Sequence, residues 1–216
     1  MSTLVWVLAL AALAIHLAGC VLTLEWGWLN DYVQGANDNT SGVAVMLDVA
    51  RRLSEGGGAE GATFWFVATG CEEAGCGGAI DFLKRHEAEL PVESTDFIVV
   101  DQVGGGEPRY MTSEGLIERQ HASRELIGVI EDLRRSGSIP EIRPMASPFF
   151  TDAGPVLRAG YRAVCISTYP SNLCLPTYHR QTDTFDNVET DTVAGMSKVV
   201  HEVVEAVSRA ARPGAV

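Results

Sequence analysis

The run GANDNTSG, Gly35 to Gly42, followed without a break by VAVMLDVARRL, decides how this chain is read. Asp38 stands among small residues that permit a tight turn. Directly after it, Val43, Met46, Leu47, Ala50 and Leu53 recur at helical spacing, which predicts a helix over Ser41–Ser54. An acidic residue held where a tight loop enters a helix can turn both carboxylate oxygens toward a metal ion. Asp and Asn are also the ordinary residues of helix N-caps, so the loop alone does not separate ligation from capping. Four later segments bear on the choice.

Outward from this helix, short apolar runs alternate with helical patterns. TFWFVAT (Thr63–Thr69), DFIVVDQV (Asp96–Val103), Glu141–Met145 and RAVCIST (Arg162–Thr168) read as strands. Helices are expected over Ala79–Leu90, Gln120–Arg135, Asp152–Ala159 and Thr190–Ala211, the last carrying Val193, Met196, Val199, Val200, Val203 and Val207 on one stripe. Such alternation predicts an α/β domain with a mostly parallel, buried sheet. No repeat, linker or low-complexity run interrupts residues 35–211, so they are read as one domain.

Residues 1–24 contain no Asp, Glu, Lys or Arg, and Glu25 is the first charged residue. At 1.5 Å per residue this run can cross a hydrocarbon core of about 30 Å. Trp26 and Trp28 fall where interfacial aromatics sit. Residues 1–25 are therefore expected to form a transmembrane helix joined by a short connector (residues 25–34) to the domain, a single-pass membrane protein with lipid around that helix. A secretory signal would want a positive n-region, which is absent. Leu17-Ala18-Gly19-Cys20 resembles a bacterial lipoprotein cleavage box and gives a rival reading. His16 inside the run reads as neutral, facing a helix partner or snorkelling. No Lys or Arg occurs before Arg51, so the charge rule for orientation has nothing to count, and the side of the membrane stays open.

Composition excludes some functions. With 46% apolar and 20% charged residues the chain is an ordinary folded protein; its net charge of −12, with no basic stripe, argues against nucleic acid as a partner. Five cysteines, an odd number, argue against a complete disulfide framework. Cys71 and Cys76 bracket Glu72 and Glu73 and can pair, ligate or pack, packing being the simplest expectation. Cys165 is expected in the core. His86, His121 and His201, among charges on helices, are expected at the surface.

The chemistry-bearing residues gather at predicted strand ends. Glu72 and Glu73 follow the strand at 63–69, Asp101 ends the next, Asp152 follows Phe149-Phe150, and His179 sits in TYHRQTD after the last. Ligands of open α/β sheets bind at the carboxyl ends of strands. Asp and Glu oxygens with a His nitrogen are the donors zinc takes, at about 2.0–2.2 Å. Two zinc ions need a bridging carboxylate, and a further carboxylate must carry the proton. Adjacent glutamates can divide these tasks, because neighbours in a turn point in different directions.

With these segments in this order, the chain resembles the metallopeptidase family 28 of co-catalytic zinc exopeptidases, which includes secreted aminopeptidases, glutamate carboxypeptidase-like and glutaminyl cyclase-like proteins. The resemblance runs from Gly35 to the last helix. It implies a three-layer α/β/α zinc-exopeptidase (phosphorylase/hydrolase-like) fold. GANDNTSG resembles the loop of the bridging aspartate, Asp38. CEEAGCGGA resembles the catalytic pair, with Glu72 as general acid/base and Glu73 on the second zinc. VVDQVGG places Asp101 on the first zinc. In FFTDAGPVLRAGYRAV, Asp152 holds the position of a supporting aspartate, and Ala153 replaces a family His. YHRQTDTFDNV places His179 on the second zinc and Tyr178 beside the substrate carbonyl. The resemblance implies hydrolysis by a metal-bound hydroxide, with one or two zinc ions and a peptide with a free N-terminus as substrate.

One piece departs. The family's first ligand is a His in an H-x-D motif upstream of the bridging Asp; here only His16 precedes Asp38, and no acidic residue stands two positions after it. The first zinc would keep only Asp38 and Asp101, so its filling is open. The family's early strands are also missing. A longer membrane enzyme of which this is the C-terminal part, or a start assigned too late, is the expectation, with an upstream part of the same polypeptide as a partner. Two rivals stand beside the peptidase reading: a non-catalytic relative kept as a binding surface, and a glutaminyl cyclase-like acyltransferase holding one zinc on Asp38, Glu73 and His179.

Overall fold

The structure is a computed structural model describing residues 3–29, 32–56, 61–173 and 175–210, with side chains undescribed over 23–29. The chain divides into two compact units, Met1–Gln34 and Gly35–Val216.

The first unit is one helix, α1 (Thr3–Leu29). Its segment Thr3–Leu22 has a mean hydropathy of 2.4 over 20 residues, long and apolar enough to cross a membrane; a signal sequence meets the same criterion. The helix continues through residues 25–29, where a connector was expected, because Gly27 alone costs a helix only about 1 kcal/mol. The Trp26 and Trp28 side chains lie outside the described residues. The His16 imidazole is satisfied within the helix, 2.7 Å from the Ala12 carbonyl.

The second unit is built on a five-stranded mixed sheet. Its strands are β1 (Asp96–Val100), β2 (Glu107–Glu114), β3 (Gln120–His121), β4 (Arg143–Ala146) and β5 (Arg162–Tyr169). β1 and β5 run parallel, as do β2 and β4; β2 is antiparallel to β5 and to β3. Five helices flank it: α2 (Ser41–Gly56), α3 (Gly77–His86), α4 (Arg124–Ser136), α5 (Ala153–Arg158) and α6 (Thr190–Ala210).

Alternation along the strands produces the layers. On β5, Val164 and Ile166 join Val45, Val49, Ile130, Met196, Val199 and Val203 of α2, α4 and α6. Ala163 and Cys165, alternating with them in sequence, join Leu83, Ala153 and Val156 of α3 and α5. β1 divides the same way, with Ile98 and Val100 toward the first core and Phe97 and Val99 toward the second. A period of two through a buried strand demands apolar residues on both faces, hence RAVCIS without polar alternation. The expected three-layer arrangement is present.

Several expectations need correction. Thr63–Thr69 makes no strand ladder among the described residues. Its alternate residues still divide between faces: Phe64 packs on the α2/α4/α6 core, and Trp65 meets Phe82 and His86 edge-on at 6.0 and 5.3 Å. The apolar pattern is strand-like, but a strand also needs a neighbour to pair its amides. Strand β2 was not foreseen, because Glu107, Pro108, Arg109 and Glu114 break its apolar pattern. Arg109 and Glu114 are nonetheless buried, and Arg109 donates to Glu107 at 2.8 Å. Residues 120–121 are strand, not helix, because Ser123 caps α4 three residues later by accepting from the Leu126 amide at 3.4 Å. Helix α3 ends at His86, earlier than expected. The end of the last helix beyond Ala210, and Cys174, lie outside the described residues. Cys165 is buried as expected, Cys76 is buried, and Cys71 is exposed; all three are free thiols. His86 and His201 are half-buried where surface was expected.

Candidate metal centre

The loop before α2 uses nearly every polar group it has to hold one carboxylate still. Asn37 and Asp38 donate their backbone amides to the two oxygens of buried Asp183, at 2.7 and 3.0 Å. The Asn39 amide group donates to the Val100 carbonyl at 2.9 Å and accepts from the Gly42 and Gln102 amides at 3.0 and 3.1 Å. The Ser41 hydroxyl donates to the Asn37 carbonyl at 2.7 Å and accepts from the Val103 amide at 3.0 Å. Asn37 Oδ1 accepts from Gly104 at 2.7 Å. GANDNTSG and VVDQVGG are thus stitched together at the carboxyl end of β1. Gly42 permits the approach: a Cβ there would lie 2.5 Å from the Val100 carbonyl oxygen. The Asp38 carboxylate faces the cleft.

The second loop presents the glutamate pair. Glu72 O accepts from the Gly75 and Cys76 amides at 2.9 and 2.7 Å, Cys71 O accepts from Gly77 at 2.9 Å, and Gly70 O accepts from Gly78 at 2.9 Å. A Cβ on Gly78 would lie 2.7 Å from the Gly70 nitrogen, so the closure requires glycine. Cys71 and Cys76 both adopt left-handed backbone, at φ 57° and 58°. The two glutamates diverge as neighbours in a turn should. Glu73 Oε2 lies 3.0 Å from His179 Nε2, whereas Glu72 Oε1 lies 3.7 Å from Cys76 Sγ.

His179, itself left-handed at φ 54°, completes the group. Its Nε2 lies 3.7 Å from Asp38 Oδ2. Ligand atoms of Asp38, Glu73 and His179 all fall within 4.8 Å of one another. Tyr178 stacks on the His179 ring at 3.7 Å between centroids. Asp101, Glu72 and Tyr178 line the same cleft, along with Gln102, Ser147, Phe149, Phe150 and Tyr169. Asp101 is not among the three converging ligands. Asp152 accepts from the Thr69 hydroxyl through Oδ2, while its buried Oδ1 has no hydrogen-bond partner among the described residues. The preceding Thr151 is anchored by Glu114, which accepts from its amide and its hydroxyl, each at 2.9 Å.

Crowding buried carboxylates raises their pKa values. Burial, then the charge of Glu73, pushes Asp38 up to about 6. Burial and Glu73, followed by Asp152 and Asp38, push Glu72 up to about 7. Burial holds Asp101 well above the usual carboxylate range, with Asp38 and Glu72 adding to it. Asp152 is raised by burial against the opposing hydrogen bonds of Thr69 and Cys76. Tyr178 is pushed up to about 12 by burial and by Glu73, so its hydroxyl stays protonated and able to donate.

A cluster of anions of this kind is stabilised by a cation. Two carboxylates and an imidazole are donors zinc accepts, so Asp38, Glu73 and His179 fit one zinc ion. Among the described residues, a second position beside Asp38 has Asp101 as a further carboxylate and no third donor grouped with them, short of the three-ligand set of known catalytic zinc sites.

The sequence profile of peptidase family M28 matches residues 23–204, and the chain belongs to that family. Its fold is similar to that of the Legionella pneumophila aminopeptidase LapA, with a TM-score of 0.66 and 17% identity over 85% of this chain and 49% of that one. It is also similar to BSAP, a zinc aminopeptidase from Bacillus subtilis, with a TM-score of 0.66 and 21% identity over 87% and 45%. An aminopeptidase from Aneurinibacillus gives a TM-score of 0.58 and 24% identity over 84% and 41%. The chain thus spans about half or less of the length of these structures. No protein of curated function matches its sequence.

Sequence reasoning did not single out Asp183, Asn37, Asn39, Glu114 or Tyr169. Asp183 had a signal available, since it stands four residues after His179 in HRQTD. Glu114 had none, as a lone acidic residue at the end of an unforeseen strand.

Proposed function

We propose that the chain carries a zinc aminopeptidase centre, with Asp38, Glu73 and His179 as ligands and Glu72 as the proton carrier. The convergence of those three ligand atoms next to a half-buried glutamate outside the ligand set is the observation that supports this most. When bound, zinc supplies Lewis acidity, polarising a carbonyl and making water acidic near neutral pH. The rest falls to the chain. Glu72, poised near neutrality, can take a proton from the attacking water and return it to the leaving amine. Tyr178 donates a hydrogen bond to the oxygen on which charge develops. The acidic cleft favours the α-ammonium of a peptide N-terminus, and Phe149, Phe150 and Tyr169 offer apolar contact to the residue bearing it. The charge of Asp152 helps hold the Glu72 carboxyl near neutrality. Hydrolysis of amino-acid p-nitroanilides tests this: turnover should vanish on chelation and return with zinc. Activity untouched by chelation would contradict it.

The same three ligands suit a single-zinc acyltransferase that cyclises N-terminal glutamine. Product analysis with a Gln-initiated peptide separates the two, released glutamine meaning hydrolysis and a cyclised N-terminus meaning transfer.

We also infer that α1 anchors the domain in a membrane. Alkaline carbonate extraction should leave the chain in the pellet; an intact chain in the soluble fraction would overturn the anchor.

A further inference from the structure

Among the described residues Cys76 is the one thiol in contact with the catalytic glutamate, and the proposed reaction has not used it. It is 5% exposed and sits at the turn entering α3. Its backbone is left-handed, φ 58° and ψ 35°, a conformation that costs a side-chain-bearing residue about 1–2 kcal/mol and that glycine adopts freely. Non-glycine residues held there tend to mark functional loops. The side chain that the strained backbone carries is directed at two groups. Sγ lies 3.7 Å from Glu72 Oε1 and 3.4 Å from the Thr151 carbonyl oxygen, two acceptors for its one hydrogen. Thr151 is itself fixed by the two bonds to buried Glu114. The thiol therefore joins a rigid strand-end anchor to the flexible side chain of Glu72. The described residues offer Glu72 no other side-chain hydrogen bond.

We propose that Cys76 is a positioning residue for Glu72: its single S–H hydrogen, shared between the Thr151 carbonyl and Glu72 Oε1, holds one carboxylate oxygen and leaves the other for proton transfer. Two geometric consequences follow. A side chain without a polar hydrogen would free Glu72 to rotate within a crowded anionic cleft. A hydroxyl in the same place would keep the clamp. Misplacing a reacting group by about 1 Å costs on the order of a hundredfold in rate, and a partly retained orientation costs less.

The inference rests on Glu72 being the proton carrier, and the test keeps the two apart. Cys76→Ala should lower kcat roughly tenfold or more, with KM and zinc content unchanged, while Cys76→Ser should recover most of the loss. On a Glu72→Gln background Cys76→Ala should cost nothing further. A full kcat in Cys76→Ala, with Glu72→Gln inactive, overturns the clamp; an active Glu72→Gln overturns the role of Glu72 instead. A second measurement needs no turnover. The infrared S–H stretching band of Cys76, isolated by difference from Cys76→Ser, should move to higher frequency in Glu72→Ala as the thiol loses an acceptor. A band unmoved in Glu72→Ala overturns the clamp.

Discussion

Replacing Glu72 by Gln is expected to lower kcat on amino-acid p-nitroanilides by about 10²–10⁴-fold, the range that a general acid–base group contributes. Gln keeps the size and hydrogen bonding of Glu but cannot carry the proton. Because Glu72 is turned toward Cys76 and away from His179, the metal ligands are not disturbed. Zinc content and melting temperature should therefore match the parent, and KM should change little, which places the loss in the chemical step. Glu73→Gln should behave differently. Its carboxylate is 3.0 Å from His179 Nε2, so that substitution should weaken metal binding as well as rate. Full turnover in Glu72→Gln would remove Glu72 from the mechanism.

Stripping the metal should make the protein less stable, and the deficit should widen as pH rises. The sign follows from the raised carboxylates. Asp38, pushed up to about 6, and Glu72, pushed up to about 7, bind protons more readily in the folded chain than in the unfolded one. Their contribution to metal-free stability is fully present below about pH 4 and is lost as pH rises through 6 and 7. For Asp38 a shift of about two units corresponds to at most about 3 kcal/mol, reduced by solvent screening. Zinc relieves the same repulsion, so its stabilising effect should grow over that window. Carboxylates held low by hydrogen bonds, such as Asp48 with Ser197, Arg52 and Arg51, act in the opposite sense but are present in both forms. The difference between metal-free and zinc-loaded melting curves from pH 4.5 to pH 7.5, roughly spanning these values, isolates the cluster. A gap independent of pH would mean that the carboxylates are not coupled to the ion.

Much of this site was readable from the chain because ligands and the loops that carry them are local in sequence. GANDNTSG, CEEAGCGGA, VVDQVGG and YHRQTD each announce a turn next to an apolar run. The three-layer fold followed from the same alternation, since RAVCIS and DFIVV must be buried on two faces. What stayed hidden is non-local. Asp183 reads as one more loop aspartate until it is seen accepting from Asn37 and Asp38, about 145 residues away along the chain. Strand β2 is defined by neighbours on both sides, and its buried Arg109 and Glu114 defeat any hydrophobic pattern. Thr63–Thr69 shows the converse: a strand-like sequence forms no ladder where no partner lines up with it. The short separation of Cys76 from Glu72 was visible, but the left-handed turn that aims one at the other was not.

The most direct test of the central claim is a zinc titration of the metal-free chain by equilibrium dialysis and elemental analysis, run beside His179→Ala. Asp38, Glu73 and His179 form one three-ligand set, and Asp101 shares only Asp38 for another. The account predicts close to one tightly held zinc per chain, lost in His179→Ala. Zinc retained unchanged by His179→Ala, or none bound by the parent chain, would contradict it.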